Sequence, residues 1–283
     1  MKNGYLLIMA ALLATACTGD EEKAAQLYAQ AESYYNEGNY SAAQTWIDSI
    51  ETSYPKAFET IKEGMVLQCR INQKVYEHDL LVTDSLYNIA RQELDGLKSL
   101  FELSRESEYQ TERNYVYKKG RPGLAITGSG LRAQVTESGE FRLISIYNGN
   151  KGINHTGIRV KRPDGSYCET AAIAYDGARN YRFTDDGKST EMITYNKSQC
   201  HEVAELIALS NDKKLTVQFT GGSNYSIPLD KNARLAIAET YRLSQALATV
   251  DSLSKRREYG IKQLELADAQ LMKLESARQE SEP

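Results

Sequence analysis

The side chains best suited to chemistry are few and scattered. Three histidines stand at positions 78, 155 and 201, and four cysteines at 17, 69, 168 and 200. A zinc site drawn from Cys168, Cys200 and His201 would have to borrow His78 or His155, whereas structural zinc ligands come in close pairs such as C-x2-C. No metal is expected. No serine or cysteine nucleophile motif stands near the histidines in sequence, and acidic pairs such as Asp185-Asp186 fall in turn sequence where they are solvated. Gly128-Ser129-Gly130-Leu131-Arg132-Ala133 satisfies G-x-G-x-x-A, but that pattern binds a pyrophosphate only where a helix follows the glycines. Here Leu131, Ala133 and Val135 alternate as a strand, so a hairpin turn is expected instead. No catalytic residue and no cofactor is assigned, and the chain is read as a non-enzyme.

Two sites remain as candidates. The polar run "YNGNKGINH", residues 147–155, offers Tyr147, Asn148, Asn150, Asn154 and His155 on a loop between strands. A tyrosine to stack and amides to hydrogen-bond suit a glycan, and sheet scaffolds often carry binding residues on such loops. Cys168 and Cys200 lie in the same middle region, and an oxidising compartment would permit a disulfide between them, leaving Cys69 as a buried small hydrophobe in a helix.

The elements that must position these residues divide into three stretches. From residue 25 to about 110 apolar positions recur at helical spacing with one proline, Pro55, so the block reads as helical. Within it, one helix ends at Gly38, a second starts after Tyr40 and closes at Pro55, and a third covers about Phe58 to Asn72. A heptad then runs from Gln73 to Phe101, with Leu80, Tyr87, Leu94 and Phe101 at one seam position and Tyr76, Thr83, Ala90 and Leu97 at the other. Residues 111–229 switch to period-two alternation with turn signals at Glu137-Ser138-Gly139, Pro163-Asp164-Gly165 and Asp185-Asp186-Gly187. Ten strands are expected there, including "GLAIT" at 123–127 and "ETAAIAY" at 169–175, with one helix at 199–212. From 230 to 283 a second heptad pattern predicts a long helix, its seam interrupted at Arg257 and Gly260 by a bend or a polar layer. The fold class is α+β: an N-terminal helical hairpin block and an antiparallel β-sandwich or open barrel, flanked by long helices that either pair as a coiled-coil stalk or pack as an ordinary bundle kinked at Gly260.

The first residues carry an address. "YLLIMAALLATA", residues 5–16, holds no charge but is twelve residues long, where about twenty span a bilayer as a helix. Lys2 precedes it and Ala14, Thr15 and Ala16 lead to Cys17, the layout of a cleavable export signal. With a cysteine at the cleavage point, the stretch resembles a bacterial lipobox, which implies removal of residues 1–16 and acylation of Cys17. Asp20-Glu21-Glu22, within an acidic tether over 17–24, resembles the export tag of surface lipoproteins of the Bacteroidota. Asp48-Ser49-Ile50, Asp84-Ser85-Leu86 and Asp251-Ser252-Leu253 resemble the O-glycosylation acceptor of the same exported proteins, which implies Ser49, Ser85 and Ser252 as acceptors. Tyr34, Tyr35, Gly38, Tyr40, Ala43, Trp46 and Pro55 have the spacing of a tetratricopeptide repeat. That resemblance covers one repeat, and one repeat needs a neighbouring helix to bury its core.

Composition narrows the function classes. Hydrophobic residues make up 41% and charged residues 25%, ordinary for a folded chain. A net charge of −4 argues against nucleic acid, whose phosphates call for clustered Lys and Arg. The 19 tyrosines against five Phe and one Trp suit half-buried sheets and wet interfaces. The expected function is that of a lipid-anchored outer-membrane protein, on the surface or the periplasmic face, scaffolding envelope proteins. The alternative is a surface lipoprotein that captures a glycan or nutrient through the β-rich region.

Overall fold

A turn built by Gly38 and Asn39 starts the folded helical hairpin. In a computed structural model of the chain, which describes residues 4–105, 111–119, 128–210 and 214–281 with side chains between 19 and 279, helix α1 (Gly4–Asn36) is followed by α2 (Tyr40–Ser53). Gly38 takes a φ of +78°, open to glycine without strain. The Asn39 side chain accepts from Ala42 N at 3.2 Å and caps α2. Ala31 and Ala43 meet without exposure and let the two helices approach. Ile47, Leu67 and Ile71 fill in behind them, ringed by Tyr28, Tyr34, Tyr35, Tyr40 and Trp46. Leu67 and Ile71 belong to α3 (Phe58–Lys98), which supplies the face the hairpin lacks.

Two expectations change in this region. Helix α3 is one element of 41 residues, where the sequence suggested a helix to Asn72 and a separate heptad beyond. No proline or turn residue interrupts it, and Gly64 is buried against Ile47 rather than marking a stop. The acidic stretch 17–24, expected as a solvated tether, is helical. Ala24 is buried, and Glu21 Oε1 accepts from Thr60 N at 2.7 Å and Thr60 Oγ1 at 2.8 Å. Glu21 thus satisfies an orphan amide in the first turn of α3.

Among the described residues, ten strands and a helix follow: β1 (Phe101–Ser104), β2 (Asn114–Tyr117), β3 (Gly130–Thr136), β4 (Phe141–Gly149), β5 (His155–Lys161), β6 (Tyr167–Glu169), β7 (Asn180–Asp185), β8 (Lys188–Asn196), α4 (Lys197–Ala208), β9 (Thr216–Gly221) and β10 (Tyr225–Pro228). They form two antiparallel sheets, one of six strands in the order β1-β2-β3-β4-β8-β7 and one of four in the order β10-β9-β5-β6. Asp186 and Gly187, both at positive φ, close the β7–β8 hairpin between the paired Asp185 and Lys188, the two-residue connection whose twist matches its strands. Strand β1 was unforeseen: α3 ends at Lys98, and Phe101–Ser104 pairs with β2. The expected strand over 169–175 is absent beyond Glu169. There the chain crosses as irregular backbone, its amides at Ala171 and Ile173 bonded to Gln199 O and Thr156 O. The expected strand at 123–127 lies outside the described residues.

Period-two alternation builds the sandwich core. Leu131, Phe141, Leu143, Tyr147, Ile193 and Tyr195 project from the larger sheet, and Ile158, Val160, Val217 and Phe219 from the smaller. Val203, Ala204 and Ile207 of α4 complete it, with Ile237 and Tyr241 of the final helix, α5 (Lys231–Ser281). Asp230 starts α5 by accepting from the amides of Asn232 and Ala233.

Helix α5 packs against α3. Arg70 bonds Glu275, Gln73 bonds Asp268 and Arg257 bonds Asp84, at 2.9, 2.8 and 2.5 Å. Numbers fall on α3 as they rise on α5, so the pair is antiparallel. The helix continues through Gly260, and Arg257, where the seam is interrupted, makes a part-exposed ion pair with Asp84. By compactness the chain forms a helical unit, residues 1–86 with 253–283, and a β unit, residues 87–252.

Candidate functional site

The β unit brings together three side chains from three strands that are far apart in sequence. Ser145 lies mid-strand on β4, Glu191 on β8 two residues along the same inner face from Ile193, and His155 at the start of β5 in the opposite sheet. His155 Nε2 is 3.0 Å from Ser145 Oγ, and His155 Nδ1 is 2.8 Å from Glu191 Oε2. A carboxylate can only accept, so the proton sits on Nδ1 and Nε2 accepts from the serine hydroxyl. Tyr195 Oη extends the chain, 3.4 Å from Ser145 Oγ.

Glu191 does more than orient the imidazole. Its Oε1 accepts from the amides of Ile153 and Asn154, both at 2.7 Å, and its Oε2 from the amide of His155 at 2.8 Å. Three consecutive amides converging on one carboxylate form an anion-binding concavity filled from within the chain. Burial pushes the Glu191 carboxyl up, but the amides and the imidazole outweigh it and hold the group below the ordinary carboxylate range. For His155 burial prevails over the hydrogen bond and charge of Glu191, and its pKa falls below the ordinary value. Arg182 of β7 acts against protonation as well, donating to Asn154 Oδ1 at 2.6 Å.

Serine to imidazole to carboxylate is the order of a nucleophilic relay. Accessibility separates this arrangement from a working one: the Ser145, His155 and Glu191 residues are each 0% exposed. The Phe219 ring stands edge-on to the imidazole at 5.2 Å. An acyl carbon has no approach to Ser145 Oγ in this conformation. What the cluster does in this geometry is pin the 149–155 loop to β8 and tie one sheet to the other. The backbone is tight there: Asn154 has a φ of +54°, and Gly221, at φ +141°, runs so close that a Cβ would lie 2.7 Å from Asn154 O.

The candidate loop residues separate into two sets. Tyr147 is buried between the Phe219 and Tyr225 rings and donates to Lys151 O at 2.7 Å. With His155 also buried, neither presents a face to a solute. Asn148 Nδ2 donates to Thr190 Oγ1 at 2.8 Å, while Asn150 and Asn154 are exposed. Cys168 and Cys200 do not form the expected disulfide and are free thiols. Cys200 Sγ lies 3.1 Å from Asn196 O, and burial pushes its thiol up to about 12. Among the described residues no group of three or more His, Cys, Asp or Glu is placed to hold a metal. Ser145 and Glu191 were missed because no local signal joins them to His155; the pairing of β4 with β8 makes the site.

In the helical unit, a cleft of about 180 Å³ lies between α3 and α5, lined by Tyr76, Leu80, Thr83, Arg256, Tyr259 and Gly260. Leu81, Val82 and Leu86 on α3 and Leu266 and Met272 on α5 are exposed. Ser85 and Ser252 are exposed on their helices, whereas Ser49 is half-buried and donates to Thr45 O at 2.7 Å. Asp20 is half-buried and Glu22 exposed beside the engaged Glu21. The Cys17 side chain lies outside the described residues, and among those described no helix is long and apolar enough to cross a membrane. Comparison of the chain with family models, curated proteins and solved structures finds no match in any of the three.

Proposed function

We propose that the chain is a lipid-anchored cell-envelope protein, held by acylated Cys17, that acts as a non-enzymatic scaffold through its helical unit. The observation that carries the reading is the contrast in side-chain use. The relay-like cluster of Ser145, His155 and Glu191 is spent on internal pinning, while α3 and α5 leave Leu81, Val82, Leu86, Leu266 and Met272 in water after pairing with each other. Exposed apolar side chains on both helices of the pair suit a protein contact. A partner covering them gains about 25 cal/mol for each Å² of apolar surface removed from water.

Three measurements test this. Intact mass of membrane-extracted protein is expected to show loss of residues 1–16 and addition of acyl chains, with Cys17→Ser abolishing both the mass shift and membrane retention. A photocrosslinker at Leu86 in cells is expected to give discrete adducts with envelope proteins, whereas one at Asp186 on the β7–β8 turn does not; equal patterns would sink the scaffold assignment. A fluorophosphonate probe is expected to leave Ser145 unlabelled, and labelling there would make the cluster catalytic and the reading wrong.

A further inference from the structure

We infer that the helical unit sits directly on the lipid surface through the turn between α2 and α3, with Phe58 in the headgroup layer. This rests on the anchoring of Cys17 proposed above and adds what the anchor does to the fold. Packing begins almost at once after Cys17. Ala24, Ile50 and Ala57 form a buried cluster with Leu27, Tyr28, Tyr54 and Ile61 around it. Seven helical residues from Cys17 to Ala24 rise about 10 Å. The Glu21 bond to Thr60 comes sooner still, and even a fully extended chain from 17 to 21 reaches only about 14 Å. An acylated Cys17 therefore leaves no spacer between the bilayer and the first turn of α3.

The same contacts decide which part of the unit faces the lipid. Ala57 and Tyr54, on the α2–α3 turn, pack beside Ala24 and Leu27 of α1, so the turn lies at the anchored end of α1. Phe58 follows directly and is 66% exposed, with Lys56 exposed beside it. An aromatic ring with a neighbouring lysine is the side-chain pairing of a membrane interface: the ring enters the headgroup layer and the ammonium stays among the phosphates. Lys62 is paired with Glu59 at 2.9 Å, and Glu22, Lys23 and Glu51 are exposed. The charge here is mixed, so the contact depends on proximity and ring insertion rather than on attraction to anionic lipid.

The test uses the full lipidated chain in vesicles of phosphatidylethanolamine and phosphatidylglycerol, with and without brominated acyl chains. Phe58→Trp is placed in a Trp46→Phe background so that the indole reports one position. Leu81→Trp in the same background is the control, since residue 81 lies about 35 Å further along α3 at 1.5 Å per residue. The expected result is bromolipid quenching and a blue-shifted emission at position 58, and neither at 81. A six-residue Gly/Ser spacer between Gly19 and Asp20 is expected to abolish quenching at 58 while the protein still floats with the vesicles. Flotation with an unquenched position 58 overturns the seat and leaves the anchor standing. A chain that neither floats nor carries acyl mass overturns the anchor and the seat together.

Discussion

Glu191 and Asp84 are both acidic side chains that join two elements, and they do so in opposite surroundings. Glu191 sits without exposure inside the β unit, accepting from three amides and an imidazole. Asp84 sits half in water on α3, bonded to the Arg257 guanidinium of α5 at 2.5 Å. Four donors that converge on a dry carboxylate have no other partner if it is lost, whereas Asp84 and Arg257 have water waiting. The junction of the two sheets at Glu191 is thereby specified by hydrogen bonds that must all be made. The helical unit is specified by apolar seams, and its polar contacts adjust at little cost.

The strongest way to break this comparison is Glu191→Ala. It leaves the amides of Ile153, Asn154 and His155 and the imidazole N–H buried without an acceptor. Removing one partner from a buried charged network costs about 3–5 kcal/mol, a large part of a domain's stability. Urea unfolding followed by tyrosine near-ultraviolet circular dichroism is expected to show the shift, with Trp46 emission reporting the helical unit. If the two signals move together, the units melt as one and the contrast between them fails. Gly221→Ala comes next. Its φ of +141° and a Cβ 2.7 Å from Asn154 O and 2.8 Å from Thr156 N combine backbone strain with a clash against immobile backbone, together about 3 kcal/mol. A variant within 1 kcal/mol of wild type, on a scale where surface changes stay below about 0.5, would show that the 153–156 backbone yields.

Acid sharpens the comparison by degrees. The folded His155 pKa lies below its ordinary value, so it stays neutral while the unfolded imidazole takes up a proton below about 6.5. Stability from this group is present above that pH and is lost as pH falls toward the folded pKa. The Glu191 carboxyl is also lowered, so its contribution is kept above the unfolded carboxylate pKa and lost as pH falls through the folded value. Both groups act in one direction, and the β unit is expected to weaken continuously below about pH 6.5. His155→Gln is expected to flatten the upper part of that profile. An unchanged slope between pH 6.5 and 5 would remove the histidine from the account.

The helices and hairpins were legible because their signals are local. Gly38, Asp186 with Gly187, and the heptad pattern over 230–283 each announce themselves locally. Strand β1 was not legible, because Phe101 continues the heptad of α3 and only pairing with Tyr117 on β2 draws it into the sheet. Tyr147 and His155 looked like binding residues because polar letters in a loop do not say which way they point. The alternation of β4 puts Tyr147 on the inner face with Leu143, and Glu191 pulls His155 in. The Glu21 bond to Thr60 spans 39 residues, and no local pattern distinguishes a capping acid from a solvated one.

The smallest expected effect runs the other way. Gly260 lies inside α5 on a helix where glycine costs about 0.5–1 kcal/mol relative to alanine. A Cβ there would stand 3.5 Å from Leu80 Cδ1, an ordinary contact that adds apolar burial without displacing anything. Gly260→Ala is therefore expected to raise the urea midpoint read by Trp46, where Gly221→Ala lowers the midpoint of the β unit. The two substitutions add the same methyl group. Their opposite signs would follow from a backbone that is already helical and open at 260, and left-handed and crowded at 221. A loss of stability at 260 would mean that α3 and α5 approach more closely at Leu80 than an alanine allows, and that the seam of the helical unit is as exacting as the interior of the sandwich.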